Sequence, residues 1–185
     1  MDHDEILRLT GKCGGAWALC HAQRILATIS RIAEQQSYDV EAIWIAAHLH
    51  DWGGYARWAV AGVDHAVRSV QVVREFLAAR ACPVDLAGRV LECIEFHHGG
   101  PPHRRFESTL FTDADALDLL GTVGVFRIIA MNGRDLRAGI AAIRRYRETS
   151  DRAITLPASR QIAKERLEET DRLLAKFEEE TGGVY

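Results

Sequence analysis

Four residues spread over half of this 185-residue chain are of types that can meet around one divalent metal: His21, the adjacent pair His50-Asp51, and Asp115. Two neutral imidazoles and two carboxylates form an N₂O₂ donor set. Such a set suits Mn, Fe, Co, Ni or Zn better than Mg, which prefers oxygen ligands and water. A metal held this way can turn bound water into a nucleophile near neutral pH. A lone His-Asp dipeptide is weak evidence in a chain with eight histidines. A second copy, His3-Asp4, lies in a polar N-terminal stretch and reads as accidental. His50-Asp51 closes an apolar segment and is followed closely by Gly53-Gly54, where the backbone can turn and aim both side chains at one point.

The elements that must position these residues read as helical almost throughout. Gly14-Gly15 precede an amphipathic segment from about 16 to 35, with Trp17, Ile25, Ile29 and Ile32 at helical spacing. Asp39 is an N-cap for a helix running to Asp51, and Asp64 caps another running to about Arg80. Pro83 opens a helix to His97, which Gly99-Gly100-Pro101-Pro102 stops. Segments 108–120, 123–131 and 135–146 are helical, with a turn at Asn132-Gly133 and a break at 155–158. The last helix, from about 160 to 180, is charged, with Ile162, Leu167, Leu173, Leu174 and Phe177 on one face. No alternating strand pattern of useful length is present. The expectation is an all-α, single-domain bundle over 1–185, with helices 134–181 packed on a motif-bearing core at about 16–131.

Composition narrows the partners. A formal net charge of −3 argues against nucleic acid as the main partner, although a local basic patch remains compatible with it. Cys13, Cys20, Cys82 and Cys93 form no Cys-x-x-Cys pair and read as reduced thiols of a cytoplasmic protein. The acidic start shows no signal-peptide pattern, and no apolar run approaches a membrane span. The exposed face of the last helix offers a surface for a homo-oligomer, but its charge favours a solvated face.

The segment Thr112-Asp-Ala-Asp-Ala-Leu-Asp118 carries the greatest weight. Three aspartates among Ala and Leu are costly unless partnered, because buried carboxylates need a counter-charge or a metal. The order H … HD … D, ending in an Ala-Asp-x-Leu helix, resembles the HD superfamily of metal-dependent phosphohydrolases. The run from Asp113 to Arg127 is similar to one bacterial subgroup with a DADrLDalGAiGiaR-like segment. The resemblance implies an all-α fold with His21, His50, Asp51 and Asp115 as metal ligands. It places Asp113 behind a ligand or against substrate.

Further histidines bear on the number of metals. Some HD proteins use extra histidines between the HD pair and the last Asp, to hold a second metal or contact phosphate; His65 and His97 are the matching candidates. Asp113, His65 and His97 are candidates for proton transfer. His98 and Arg104 are candidates for substrate binding, since a guanidinium offers phosphate a planar donor fork. Asp118 reads as a structural charge on the helix surface, Arg127 as the partner of Asp113 or Asp118, and His48 as a packed or exposed histidine. Several nucleotide-cleaving HD families carry a glutamate four residues after the HD aspartate; here that position is Tyr55.

The expected chemistry is hydrolysis of a phosphoester or phosphoanhydride in a small molecule, a nucleotide on family grounds. Two other classes stay open: a di-iron HD-type oxygenase, and a non-catalytic metal- or nucleotide-binding module.

Overall fold

The 3.6-residue period of the apolar positions is realised along the whole chain. The computed structural model describes residues 1–185 and holds eight α-helices and no strand. They are α1 (His3–Ile32), α2 (Val40–Leu49), α3 (His65–Ala78), α4 (Val84–Glu95), α5 (Phe106–Asp118), α6 (Gly121–Met131), α7 (Leu136–Ala153) and α8 (Pro157–Thr181). A single 3₁₀ turn, Trp52–Gly54, follows α2. Asp2, Asp39, Asp64 and Asp135 cap α1, α2, α3 and α7, each accepting from free backbone N–H groups of the first turn.

The first helix corrects the sequence reading. It starts at His3 rather than near residue 16, and passes through Gly14-Gly15 with a kink at Gly15 (φ 64°, ψ −162°). Only glycine adopts that conformation without strain, so the helix bends there and resumes. Ile6 and Thr10 are buried on this added stretch, which its polar composition hid. His3 is packed: its ring stacks on Trp44 at 3.7 Å and its Nε2 lies 2.9 Å from a Glu41 oxygen. The helix opened by Pro83 ends at Glu95, short of His97.

The chain divides into two compact units, residues 1–112 and 113–185. In the first, α1 packs on α2, α4 packs on both α2 and α3, and the 3₁₀ turn packs on α3. Its interior is rich in branched aliphatics, among them Ile25, Ile29, Ile43, Ile45, Leu49, Val73, Leu77, Val90 and Ile94, with Trp52 fully buried. In the second, α6 packs on α7 and α8. There Ile128, Ile140, Ala142 and Ile143 form the centre, with Leu119, Val125, Leu174 and Phe177 packed around them.

No helix is long and apolar enough to cross a membrane. All four cysteines are free thiols.

Candidate metal centre

The end of α2 supplies the HD pair. Leu49 is the last α2 residue, His50 is its C-cap, and Asp51 follows with φ −96° and ψ 2°. This is the sparsely populated bridge region, where the chain leaves the helix axis. The 3₁₀ turn then presses onto the start of α3. A Cβ on Gly53 would meet the His65 carbonyl oxygen and the Ser69 nitrogen at 2.4 Å, so only glycine allows this approach. The Gly53 N–H donates to Ser69 Oγ at 2.8 Å and fixes it. His65, first residue of α3, is thereby held beside Asp51. On the other side, Trp52 Nε1–H donates to Thr10 Oγ1 (3.0 Å), whose hydroxyl donates to the His48 carbonyl (3.0 Å).

Within the first unit, six side chains come together. Asp51 Oδ2 lies 3.3 Å from His50 Nε2 and 3.9 Å from His21 Nε2, while Oδ1 lies 3.6 Å from His65 Nε2. His65 Nε2 is 3.4 Å from His97 Nε2. His98 completes the group, its ring 3.9 Å from His97 and 4.8 Å from His65. The ligand atoms of His21, His50 and Asp51 lie within 4.8 Å of one another, as do those of His65, His97 and His98. Asp51 thus presents one carboxylate oxygen to each set. His21, His50 and His97 are buried, His65 and Asp51 half-buried, and His98 exposed.

Tautomers follow from hydrogen bonds. His50 Nδ1 faces the Ala47 carbonyl at 3.1 Å, and His97 Nδ1 faces the Ile94 carbonyl at 2.6 Å. A carbonyl only accepts, so Nδ1 carries the proton and donates in both. That leaves the Nε2 lone pair as the ligating site, the arrangement metal-binding histidines use. His50 Nε2 is buried with no hydrogen-bond partner. A buried, unsatisfied nitrogen costs stability in a protein without a ligand, and a cation repays it. Burial raises the pKa of Asp51, but the positive charge that His50, His21 and His97 carry when protonated outweighs this and holds it well below the usual carboxylate range. Imidazole nitrogens and an ionised carboxylate within reach of one point fit a divalent transition metal.

The second unit holds the aspartate segment. Asp113 is buried and accepts from the backbone N–H of Thr155 (3.0 Å) and Leu156 (2.8 Å). It anchors the turn that opens α8, a role its sequence context did not suggest. Burial raises its pKa, and these hydrogen bonds oppose the rise. Asp118 is buried rather than on the surface, and Arg127 is its partner, with Nη1–H donating to Oδ2 at 2.6 Å. Asp115 is buried on α5 between them. His48 is buried and packed, its Nδ1 against the Trp44 carbonyl at 2.8 Å; burial lowers its pKa.

Two residues depart from the HD pattern or from the expected grouping. Tyr55 packs against α1 where Gly14 leaves room, since a Cβ there would meet the Tyr55 ring at 2.6 Å. Arg104 lines a separate cavity with Arg74 and His103.

The HD domain family model matches residues 19–120, so the chain belongs to the HD domain family. Solved structures share its all-helical fold. YpgQ of Bacillus subtilis, in complex with ADP, is 22% identical with a TM-score of 0.71, over 98% of this chain and 99% of that one. Lin1889 of Listeria innocua is 17% identical with a TM-score of 0.67, over the whole of both chains. A predicted HD superfamily hydrolase from an uncultured Thermotogales bacterium is 23% identical with a TM-score of 0.63, over 95% of this chain and 89% of that one. No curated protein sequence matches.

Proposed function

We propose that this protein is a metal-dependent phosphohydrolase acting on a phosphoester or phosphoanhydride, with a nucleotide as the favoured substrate. The observation that carries the proposal is the buried His50 Nε2, without a hydrogen-bond partner, facing Asp51 and His21. His21, His50 and Asp51 are assigned as ligands on these contacts. Asp115 is assigned as the fourth on its Ala-Asp-x-Leu position, inside the stretch that the family model matches. When bound, a divalent ion supplies Lewis acidity that favours ionised water near neutral pH and offsets negative charge at phosphorus.

The chain's own groups do the rest. Nδ1–H donation to main-chain carbonyls fixes the His50 and His97 rings, so their Nε2 atoms stay aimed inward. His65 and His97, with Nε2 atoms 3.4 Å apart, hold or pass a proton at the Asp51 Oδ1 side. Exposed His98 is placed to contact the substrate phosphate. Asp113 acts by anchoring α5 to the start of α8, which keeps Asp115 in register. The ADP bound to YpgQ, a protein of the same fold, supports a nucleotide. The reading takes residues 1–185 as one HD domain of a cytoplasmic protein.

Elemental analysis of purified protein, followed by a nucleotide and phosphoester screen with Mn, Co, Ni and Mg, tests the proposal. Bound metal and metal-dependent phosphate release are expected. Protein that neither binds metal nor releases phosphate across the panel would end it.

The two oxygens of Asp51 facing two histidine sets favour a second reading with two metals. Two irons per chain with an oxygen-dependent product would move the assignment to the di-iron oxygenases.

A further inference from the structure

A cavity of about 410 Å³ lies in the groove between α3 and α4, bounded at one end by the turn before α5. Its cations differ in how they are engaged. Arg105 is spent: its guanidinium pairs with Glu92, and its backbone N–H donates to Glu92 Oε1 at 2.6 Å. Arg104 is not. Its Nε is buried without a hydrogen-bond partner, and its one contact is a 3.5 Å approach of Nη1 to the Pro101 carbonyl. Arg74 enters from α3 and His103 from the turn. Glu92 is already neutralised by Arg105, so Glu95 is the one lining acid left to oppose Arg74 and Arg104.

The floor carries a second, independent sign. Gly88 sits inside α4, where glycine weakens a helix relative to alanine. No packing demands it, because a Cβ built there meets nothing within 4 Å. Its missing side chain leaves the cavity open.

We propose that this groove binds the phosphate group of a small phosphorylated molecule, at a site separate from the His21–His50–Asp51 centre. A half-buried guanidinium whose Nε–H is buried and unsatisfied, joined by a second guanidinium and an imidazole, forms a planar donor fork with further donors beside it, which suits a tetrahedral dianion. The volume lies in the range of small-ligand pockets.

Calorimetric titration of Asp51→Asn protein with inorganic phosphate at low salt tests this, because the substitution disables the metal centre as a competing anion site. One phosphate per chain is expected. Gly88→Leu in that background fills the floor, and Arg104→Gln removes the fork; each should weaken phosphate binding at least tenfold, with the helical circular dichroism unchanged. Arg104→Gln alone decides the matter if Gly88→Leu does not fold. No phosphate binding in Asp51→Asn protein, or binding unchanged by these substitutions, overturns the proposal. The metal assignment fails on a different measurement, the metal content of the wild-type protein.

Discussion

The two units use certain buried acids and imidazoles in opposite ways. In residues 113–185 the buried carboxylates Asp113 and Asp118 are engaged: Asp113 accepts two backbone N–H groups, and Asp118 is paired with Arg127. In residues 1–112 His50 and His97 each have one nitrogen satisfied by a carbonyl of their own chain segment, while the other is turned inward towards Asp51 or His65. Saturated groups stabilise and specify a fold, whereas a converging set of lone pairs is what a ligand requires. Both units contain the acids and bases that a motif search would flag. Their hydrogen bonds separate structural use from chemical use.

Substitutions that exchange these behaviours test the contrast, the largest effect coming from the unsaturated side. Asp51→Ala should lower metal affinity by at least about 100-fold while leaving the melting temperature of the metal-free protein little changed. Elemental analysis beside a thermal melt measures both, and undiminished metal in the variant would break the assignment. Arg127→Met strands Asp118 in a buried position and should cost about 3–5 kcal/mol in chemical denaturation. Replacing both partners by apolar residues, Asp118→Leu with Arg127→Met, should recover much of that loss.

Asp113→Ala leaves the Thr155 and Leu156 N–H groups without their acceptor and should cost about 2–4 kcal/mol. A neutral result would show that the α8 start does not depend on this anchor. The smallest effect belongs to the exposed pair Arg147–Asp171. The Arg147 guanidinium holds the Asp171 pKa below the ordinary value. Its contribution is therefore present above the ordinary carboxylate pKa and is lost as pH falls through the lowered one. Solvent screening limits it to about 0.5 kcal/mol or less, readable as a loss of the difference between wild type and Asp171→Asn at acid pH.

Much of the fold was legible in the sequence because helix signals are local. Asp39, Asp64 and Asp135 read as starts or caps, and each accepts a first-turn N–H. The miss at residues 3–15 has an equally local cause. Gly14-Gly15 looks like a boundary, but the kinked helix continues, and Thr10 is buried against His48 and Trp52, both distant in sequence. In the site, residue types pointed to His21, His50, Asp51 and Asp115 as one ligand set; the ligand atoms of His21, His50 and Asp51 lie within 4.8 Å of one another. The use of Asp113 as an anchor was not legible, because its partners, Thr155 and Leu156, lie more than forty residues away.

By itself the sequence determined an all-helical chain with an HD-type order of histidines and aspartates, because period, caps and ligand chemistry are properties of short segments. Tertiary structure decided which of those groups are spent. It set Gly53 against α3 so that His65 reaches Asp51, turned His50 so that one nitrogen stays unsatisfied, and closed Asp118 onto Arg127. Whether a side chain is saturated or available depends on neighbours that only folding supplies.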